Sequence, residues 1–293
     1  MIVKQHSFNI PKSTLFGIAG GVFGLLTIGL MVRSQFAPET YASCTERYAQ
    51  AGMFALERST GKLLRPTELQ SKLGGNEWGV LHNIAVSAER SSDPTVAMTV
   101  NFKAGGKADF AKRRAPSGVG FNWQPGHLRR ASAACLSYSV KLPEKFKFGH
   151  GGTLPGLFGA PRTARPAETE AFSTRMRWLG LGKIGVQPIT PKERKGYLMV
   201  LNEKRLEMPR GQWVGIEQEV VLNTPGLRDG VLRIWVDGAL QLNLGGLAFR
   251  KDAGTRFKGV IADTHYANSV MEWAPAPTDT KVKLSPMIVR WND

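Results

Sequence analysis

Apolar residues recur at every second position in several segments of the chain, which is the pattern of a strand with one buried face. The clearest segments are residues 96–102, 136–142, 172–178 and 232–236. In the third of these, Phe172, Thr174, Met176 and Trp178 are predicted to face one way and the intervening polar residues the other. Residues 282–284 and 287–291 repeat the pattern at the end of the chain.

Turn signals separate these segments. Two Asp-Gly pairs, Asp229-Gly230 and Asp237-Gly238, flank the fourth segment, and such pairs are typical of tight hairpin turns. The chain also has 33 glycines and 17 prolines, which favour turns and strands over bundles of helices. Strands at this density predict an all-β fold, specifically a β-jelly roll built as a two-sheet sandwich.

An apolar run without charge covers residues 15–32 and is about as long as a helix needs to be to span a bilayer. Lys4 and Lys12 precede it, so the positive-inside bias places the N-terminus in the cytoplasm. We therefore expect a membrane-anchored protein whose main domain is extracytoplasmic, on the periplasmic or extracellular face. The expected parts are a cytoplasmic N-terminus (1–12), a transmembrane signal anchor (13–33), a stalk (34–50) and the jelly-roll domain (51–293). The alternative is a cleaved signal peptide, which would leave the domain secreted.

The net charge of +16 indicates the class of partner to expect. A basic surface attracts polyanions, which include nucleic acid, anionic lipid headgroups and acidic polysaccharides. Two basic loops, 103–120 and 161–170, could form a rim that steers such a ligand, or could simply be solvated. No motif typical of nucleic-acid recognition is present, so nucleic acid is not an expected partner.

The two cysteines, Cys44 and Cys135, both fall in the part predicted to lie outside the membrane. In an oxidising compartment they could form a disulfide, or they could be two unrelated buried thiols. They do not make a metal site. The five histidines show no close pair at the spacing of metal ligands, so we expect neither a metal nor another cofactor.

One stretch is more distinctive than the rest. Residues 138–159 read YSVKLPEKFKFGHGGTLPGLFG, and residues 172–178 read FSTRMRW. The segment 211–213 (GQW), the segment 222–238 with its two Asp-Gly pairs, and the segments 264–269 (THYANS) and 273–275 (WAP) follow in order. In this order the segments resemble the alginate and glucuronan lyases of polysaccharide lyase family 14 and its relatives, which are jelly rolls. The resemblance covers most of the predicted outer domain.

The resemblance implies that Ser173 and Arg175 are cleft residues that bind the substrate. The alternation independently puts them, with Arg177, on the polar face of one strand. An arginine there could hold a uronate carboxylate through two parallel hydrogen bonds.

The chain departs from the family pattern at the residues that would move protons. Thr153 stands where such lyases tend to carry lysine, and residues 179–189 contain no tyrosine where a tyrosine pair is expected. Lys147 and Thr153 remain candidates for substrate binding. The candidates for catalysis are His150, His265 and Tyr266, because the ordinary pKa of histidine suits proton transfer near neutral pH.

Three functions follow as hypotheses. The first is a polysaccharide lyase-type protein at the cell envelope that binds a uronate-containing polysaccharide and cleaves it by β-elimination if it is an active lyase. The second is a non-catalytic carbohydrate-binding protein that assists export or assembly of an exopolysaccharide. The third is a structural envelope protein whose charge binds anionic lipid.

Overall fold

The computed structural model describes residues 42–73, 77–89, 94–106, 117–161, 171–193, 196–201 and 207–292. The expected cytoplasmic segment, the signal anchor and the first part of the stalk lie outside these residues, as do most of the two basic loops. Within the described residues, no helix is both long enough and apolar enough to cross a membrane.

Sixteen strands and two short α-helices lie in the described part of the chain, and every strand pair is antiparallel. The helices are α1 (Pro66–Gln70) and α2 (Val80–Asn83). In chain order the strands are β1 (Gln50–Phe54), β2 (Ile84–Ala88), β3 (Val96–Phe102), β4 (Asn122–Trp123), β5 (Ala133–Lys141), β6 (Gly151–Leu154), β7 (Gly156–Pro161), β8 (Phe172–Leu179), β9 (Ile184–Ile189), β10 (Met199–Val200), β11 (Trp213–Val221), β12 (Gly230–Val236), β13 (Ala239–Leu247), β14 (Thr255–Ile261), β15 (Thr280–Leu284) and β16 (Met287–Trp291).

The strands form two sheets. The first runs β13-β12-β11-β5-β15-β3-β2, with β16 paired to β5 and β1 paired to β16. The second runs β10-β9-β8-β7-β14-β4, with β6 also paired to β8. Apolar side chains from both sheets fill one continuous core. The predicted all-β, two-sheet sandwich is therefore confirmed, and the arrangement is consistent with a jelly roll.

The alternating segments lie where the pattern predicts. Val100 on β3, Val140 on β5, Met176 on β8 and Ile234 on β12 are all fully buried in the core. Burial of such side chains supplies the main stabilisation of a sandwich, at about 25 cal/mol per Å² of apolar surface.

A buried polar bridge joins the two sheets. Gln218 on β11 accepts hydrogen bonds from the Leu157 amide at 2.9 Å and the Thr174 hydroxyl at 2.8 Å, and it donates to the Thr174 carbonyl. These bonds satisfy the amide oxygen and one N–H of Gln218 in the core, and they fix the positions of β7 and β8 relative to the first sheet.

Of the two tight hairpin turns predicted from Asp-Gly pairs, one is confirmed and the other prediction is wrong. Asp237 and Gly238 have φ of 48° and 76° and close the tight β12–β13 hairpin, as predicted. Asp229-Gly230 does not form such a turn. Instead the Asp229 carboxylate accepts hydrogen bonds from the Thr224 amide and hydroxyl, both at 2.7 Å, and closes the longer β11–β12 connection.

The described end of the predicted stalk packs on the domain. Cys44 is fully buried and forms a disulfide with Cys135 on β5, with Cα atoms 5.7 Å apart. Gln50 begins β1, which pairs with the final strand β16. Residues 42–50 therefore belong to the sandwich rather than to a spacer, because a disulfide and a strand pair both hold them.

Candidate functional site

The side chains of β8 divide between the two faces of the second sheet. Thr174 and Met176 point into the core. Ser173, Arg175 and Arg177 therefore lie on the opposite face, which we call the outer face of the second sheet. Other parts of the chain cover this face, since Ser173 and Arg177 have no exposed surface and Arg175 is only 8% exposed.

Arg175 is held on both sides. Its Nη1 donates to the Ser173 hydroxyl at 2.7 Å, while Nε and Nη2 donate to one carboxylate oxygen of Asp263 at 3.2 and 3.0 Å. The carboxylate comes from the segment that follows β14. These contacts fix the plane of the guanidinium, so Arg175 is preorganised for recognising a second planar anion.

Arg177 makes structural contacts, and the substrate contact proposed for it stays a prediction. Its guanidinium donates to the carbonyls of Gly152 and Asn268, at 2.8 and 2.7 Å, and to the Ala267 carbonyl and the Gln187 side chain. Burial, together with the charge of Arg175, lowers the pKa of Arg177 to about 10. The side chain therefore remains charged at neutral pH and ties β8 to β6 and to the segment 267–268.

The positions that flank Arg175 and Arg177 on neighbouring strands hold neutral side chains. On β9, Gln187 pairs with Arg175, and Ile189 pairs with Ser173. On β6, Thr153 pairs with Arg177. Thr153 is buried, and its hydroxyl contacts the backbone of His265, so it does not reach outward as a lysine would.

His265 lies beside Thr153, because the Thr153 amide donates to the His265 carbonyl at 2.9 Å. The imidazole stacks on Trp273 with ring centroids 4.6 Å apart, and the edge of Trp78 lies 5.7 Å away. Its Nδ1 is 2.9 Å from the Tyr266 carbonyl. A carbonyl only accepts hydrogen bonds, so Nδ1 carries the proton and, in the neutral ring, Nε2 carries the lone pair.

Burial lowers the pKa of His265, and the positive charges of Arg175 and Arg177 act in the same direction. The nearby negative charge of Asp263 opposes them. The ring is therefore neutral at pH 7, with a defined tautomer. Of the three residues proposed for catalysis, His265 is the one whose electrostatic surroundings in the described structure include Arg175 and Arg177.

The expectation that Tyr266 is catalytic is not supported by its position. Its ring packs against Phe102, Phe146 and Trp178 in the core, and its hydroxyl donates to the Lys147 carbonyl at 2.7 Å. Burial raises the pKa of this hydroxyl. The two neighbours point to opposite sides: the imidazole of His265 lies against Trp273 and Trp78, whereas the ring of Tyr266 lies in the core.

His150 and Lys147 are exposed in the turn that leads into β6. In the part of the chain that the structure describes, no hydrogen bond or ion pair joins either side chain to Ser173, Arg175 or Arg177. Their proposed roles in catalysis and binding stay predictions, and they do not belong to the site built around β8.

Sequence reasoning missed Gln187 and Asp263. Both residues lie in or beside a segment that the sequence analysis had singled out. Gln187 lies in the segment where tyrosines were sought and not found, and Asp263 immediately precedes the THYANS segment. The sequence alone does not specify the β8–β9 register that places Gln187 beside Arg175, nor the path of the segment after β14 that brings Asp263 there.

The described residues contain one grouping of potential metal ligands, formed by Cys44, Cys135 and Glu217. Both sulfurs are already joined in the disulfide, so the group offers a single carboxylate. The residues around β8 show no comparable grouping within the same described ranges.

Comparison with known proteins identifies the family of this chain and supports the fold described above. The family described as Polysaccharide lyase 14 matches residues 90–286. An alginate lyase of that family from Aplysia kurodai superposes with a TM-score of 0.64 at 21% identity, covering 84% of this chain and 99% of that one. An alginate lyase from a Chlorella virus gives 0.59 at 17% identity, covering 76% and 94%.

A third solved structure is the alginate lyase Aly36B, as a double mutant in complex with an alginate trisaccharide, with a TM-score of 0.55 at 16% identity and coverage of 86% and 97%. At these identities the superpositions establish the fold. No curated protein matches the chain by sequence. Because the family match covers two thirds of the chain, in the order of the motifs noted above, the chain belongs to polysaccharide lyase family 14.

Proposed function

We propose that this protein binds a uronate-containing polysaccharide on the outer face of the second sheet and does not cleave it. The observation that carries the proposal is the chemistry beside Arg175. The arginine and serine implied by the family resemblance are present, while the flanking positions hold Thr153, Gln187 and Ile189. None of these three side chains takes up or releases a proton near neutral pH.

Recognition of the ligand rests on Arg175. Its guanidinium is planar, nearly buried and fixed by Ser173 and Asp263. A uronate carboxylate that approached this group would share or replace the contact with Asp263, and charge-assisted hydrogen bonds in a partly desolvated site are stronger than those in water. The net charge of +16 would draw an acidic polymer toward the protein. Binding of alginate trisaccharide by a protein of the same fold supports the choice of ligand class.

A second candidate function, β-elimination, is favoured by the state of His265. Its Nδ1–H is fixed by the Tyr266 carbonyl, and its lowered pKa keeps Nε2 unprotonated. In such a reaction Nε2 would take the proton on the carbon next to the carboxylate while Arg175 stabilised the negative charge. The electron pair would form the C4–C5 double bond as the C4–O bond broke. The imidazolium would return its proton to the leaving oxygen.

One experiment separates the two functions. The purified full-length chain is incubated with a panel of uronate polymers, and ultraviolet absorbance of the new double bond and calorimetric binding are both recorded. The proposal predicts binding to at least one polymer with a flat absorbance. Rising absorbance that is lost in His265→Asn would instead establish elimination by His265.

The location at the cell envelope is also part of the proposal. The apolar run at residues 15–32 is about as long as a membrane-spanning helix, and the disulfide between Cys44 and Cys135 is typical of oxidising compartments. An anchored protein stays with the membrane fraction after washing with alkaline carbonate. Release into the soluble fraction would favour the secreted alternative.

A further inference from the structure

A strongly basic cavity lies at the edge of the second sheet. Its volume is about 570 Å³, and it is formed between β14 and the short 3₁₀ turn Leu128–Arg130. Its charged lining consists of Arg129, Arg130, Arg256 and Lys258, with His127 beside them. None of the described residues that line this cavity carries a carboxylate.

The four cations have no anionic partner among the described residues. In the described part of the chain, no ion pair or hydrogen bond involves the side chains of Arg129, Arg130, Arg256 or Lys258. Arg256 and Lys258 are half-buried, whereas the two arginines of the turn are exposed. Burial and the charge of Arg256 also lower the pKa of neighbouring Arg250. Like charges held this closely raise the local positive potential, which a bound polyanion would relieve.

Strand register connects the cavity to the site around Arg175. Ser173 on β8 pairs with Phe158 on β7, and Ala160, two residues further along β7, pairs with Arg256 on β14. Paired residues share a face, so Arg256 lies on the same outer face as Ser173. Two strand spacings and a two-residue offset separate their Cα atoms by about 12 Å.

We propose that the basic cavity is a second subsite for the same acidic polysaccharide, where carboxylates some sugars away from the one at Arg175 are bound. The inference rests on the proposed binding function. The outward side chains of β7 between the two sites, Phe158 and Ala160, are buried, so a long polymer would run over the segments that cover this face and engage both sites. A short oligosaccharide would occupy only the site at Arg175. The recessed position of Arg256 and Lys258 favours an extended polymer chain over a membrane surface.

The test compares polymeric alginate with alginate trisaccharide as ligands of the full-length chain. In the variant Arg256→Gln/Lys258→Gln, affinity for the polymer is expected to fall by about fivefold, as for two partly exposed charge contacts. Affinity for the trisaccharide is expected to stay unchanged. The matched control is Lys62→Gln/Lys72→Gln, which removes the same charge from two exposed positions away from the cavity and should leave both affinities unchanged.

Three outcomes would overturn the inference. Equal loss in the control variant would mean a general charge effect. Unchanged polymer affinity in Arg256→Gln/Lys258→Gln, with binding still dependent on Arg175, would remove the second subsite and leave the proposed function intact. Absence of uronate binding by the wild-type chain, together with binding to phosphatidylglycerol vesicles that this variant loses, would make the cavity a lipid site and would also refute the proposed function.

Discussion

The guanidinium of Arg175 donates from Nε and Nη2 to a single carboxylate oxygen of Asp263, at 3.2 and 3.0 Å. Asp263 thus presents to Arg175 the group that a uronate would present. The pair is partly buried, with the arginine side chain 10% and the aspartate 21% exposed. A ligand carboxylate must compete with the Asp263 carboxylate for the guanidinium of Arg175. The strength of the Arg175–Asp263 ion pair therefore affects the affinity for the ligand.

The variant Asp263→Asn should therefore bind uronate oligosaccharides more tightly. Removing the competing charge leaves Arg175 available to the ligand, and a gain of about tenfold corresponds to about 1.4 kcal/mol. Titration calorimetry with alginate trisaccharide measures the change. The control is Asp279→Asn, which removes an exposed carboxylate paired with Lys103. Weaker binding by Asp263→Asn would show that the carboxylate positions Arg175 rather than competing for it.

Acidification should destabilise the protein through His265. Its pKa is lowered in the folded state, mainly by burial, while in the unfolded chain it is about 6.5. Between these two values the unfolded state binds more protons, so the free energy of unfolding falls as the pH drops below about 6.5. Urea unfolding at pH 7.5 and 5.5 should show a smaller acid-induced loss in His265→Asn than in the wild type. An equal loss in both proteins would assign the effect to other groups.

Arg177 is expected to be essential for stability. Replacing it by methionine fills the space but leaves the carbonyls of Gly152 and Asn268 without their buried donor. Each unsatisfied buried group costs about 1–3 kcal/mol, so a loss of at least about 2 kcal/mol is expected in urea unfolding. Arg210→Met is a suitable comparison, since that arginine is exposed and donates to the Phe146 carbonyl. A loss no larger for Arg177→Met than for Arg210→Met would contradict the role assigned to Arg177.

The disulfide should contribute strongly to stability. Cys44 and Cys135 are 91 residues apart in the sequence, and closing a loop of that length stabilises by about 4–5 kcal/mol on the chain-entropy model. Unfolding of Cys44→Ser/Cys135→Ser, or of the wild type with a reductant, should show a loss of this order. A wild type unaffected by complete reduction would mean that the β1–β16 pair alone holds the N-terminal segment.

The strands were predictable because a sandwich buries one face of each strand. Apolar and polar residues therefore alternate along the sequence of a strand. The β8 side chains illustrate this, since Ser173 and Arg175 lie opposite Thr174 and Met176 as expected. The Asp229-Gly230 turn was not predictable from the dipeptide alone, because the carboxylate was used to close a longer connection to Thr224.

The site residues that come from other segments of the chain were harder to predict than those on β8. Gln187 lies beside Arg175 through the β8–β9 register, and Asp263 reaches it from the segment after β14. A single sequence specifies neither the register nor the path of that segment. The position of Tyr266 was not predictable for a related reason. The motif around it shows no clear alternation, so which of two neighbours faces the core could not be read from the pattern.

The most direct test of the account is a calorimetric titration of alginate trisaccharide into the full-length wild type and into Arg175→Gln. The account predicts a saturable isotherm for the wild type and a loss of affinity of about tenfold or more for the variant, as expected when a charged hydrogen-bond donor is removed. The same affinity in both proteins, with the variant folded as judged by its melting temperature, would contradict the placement of the carboxylate at Arg175.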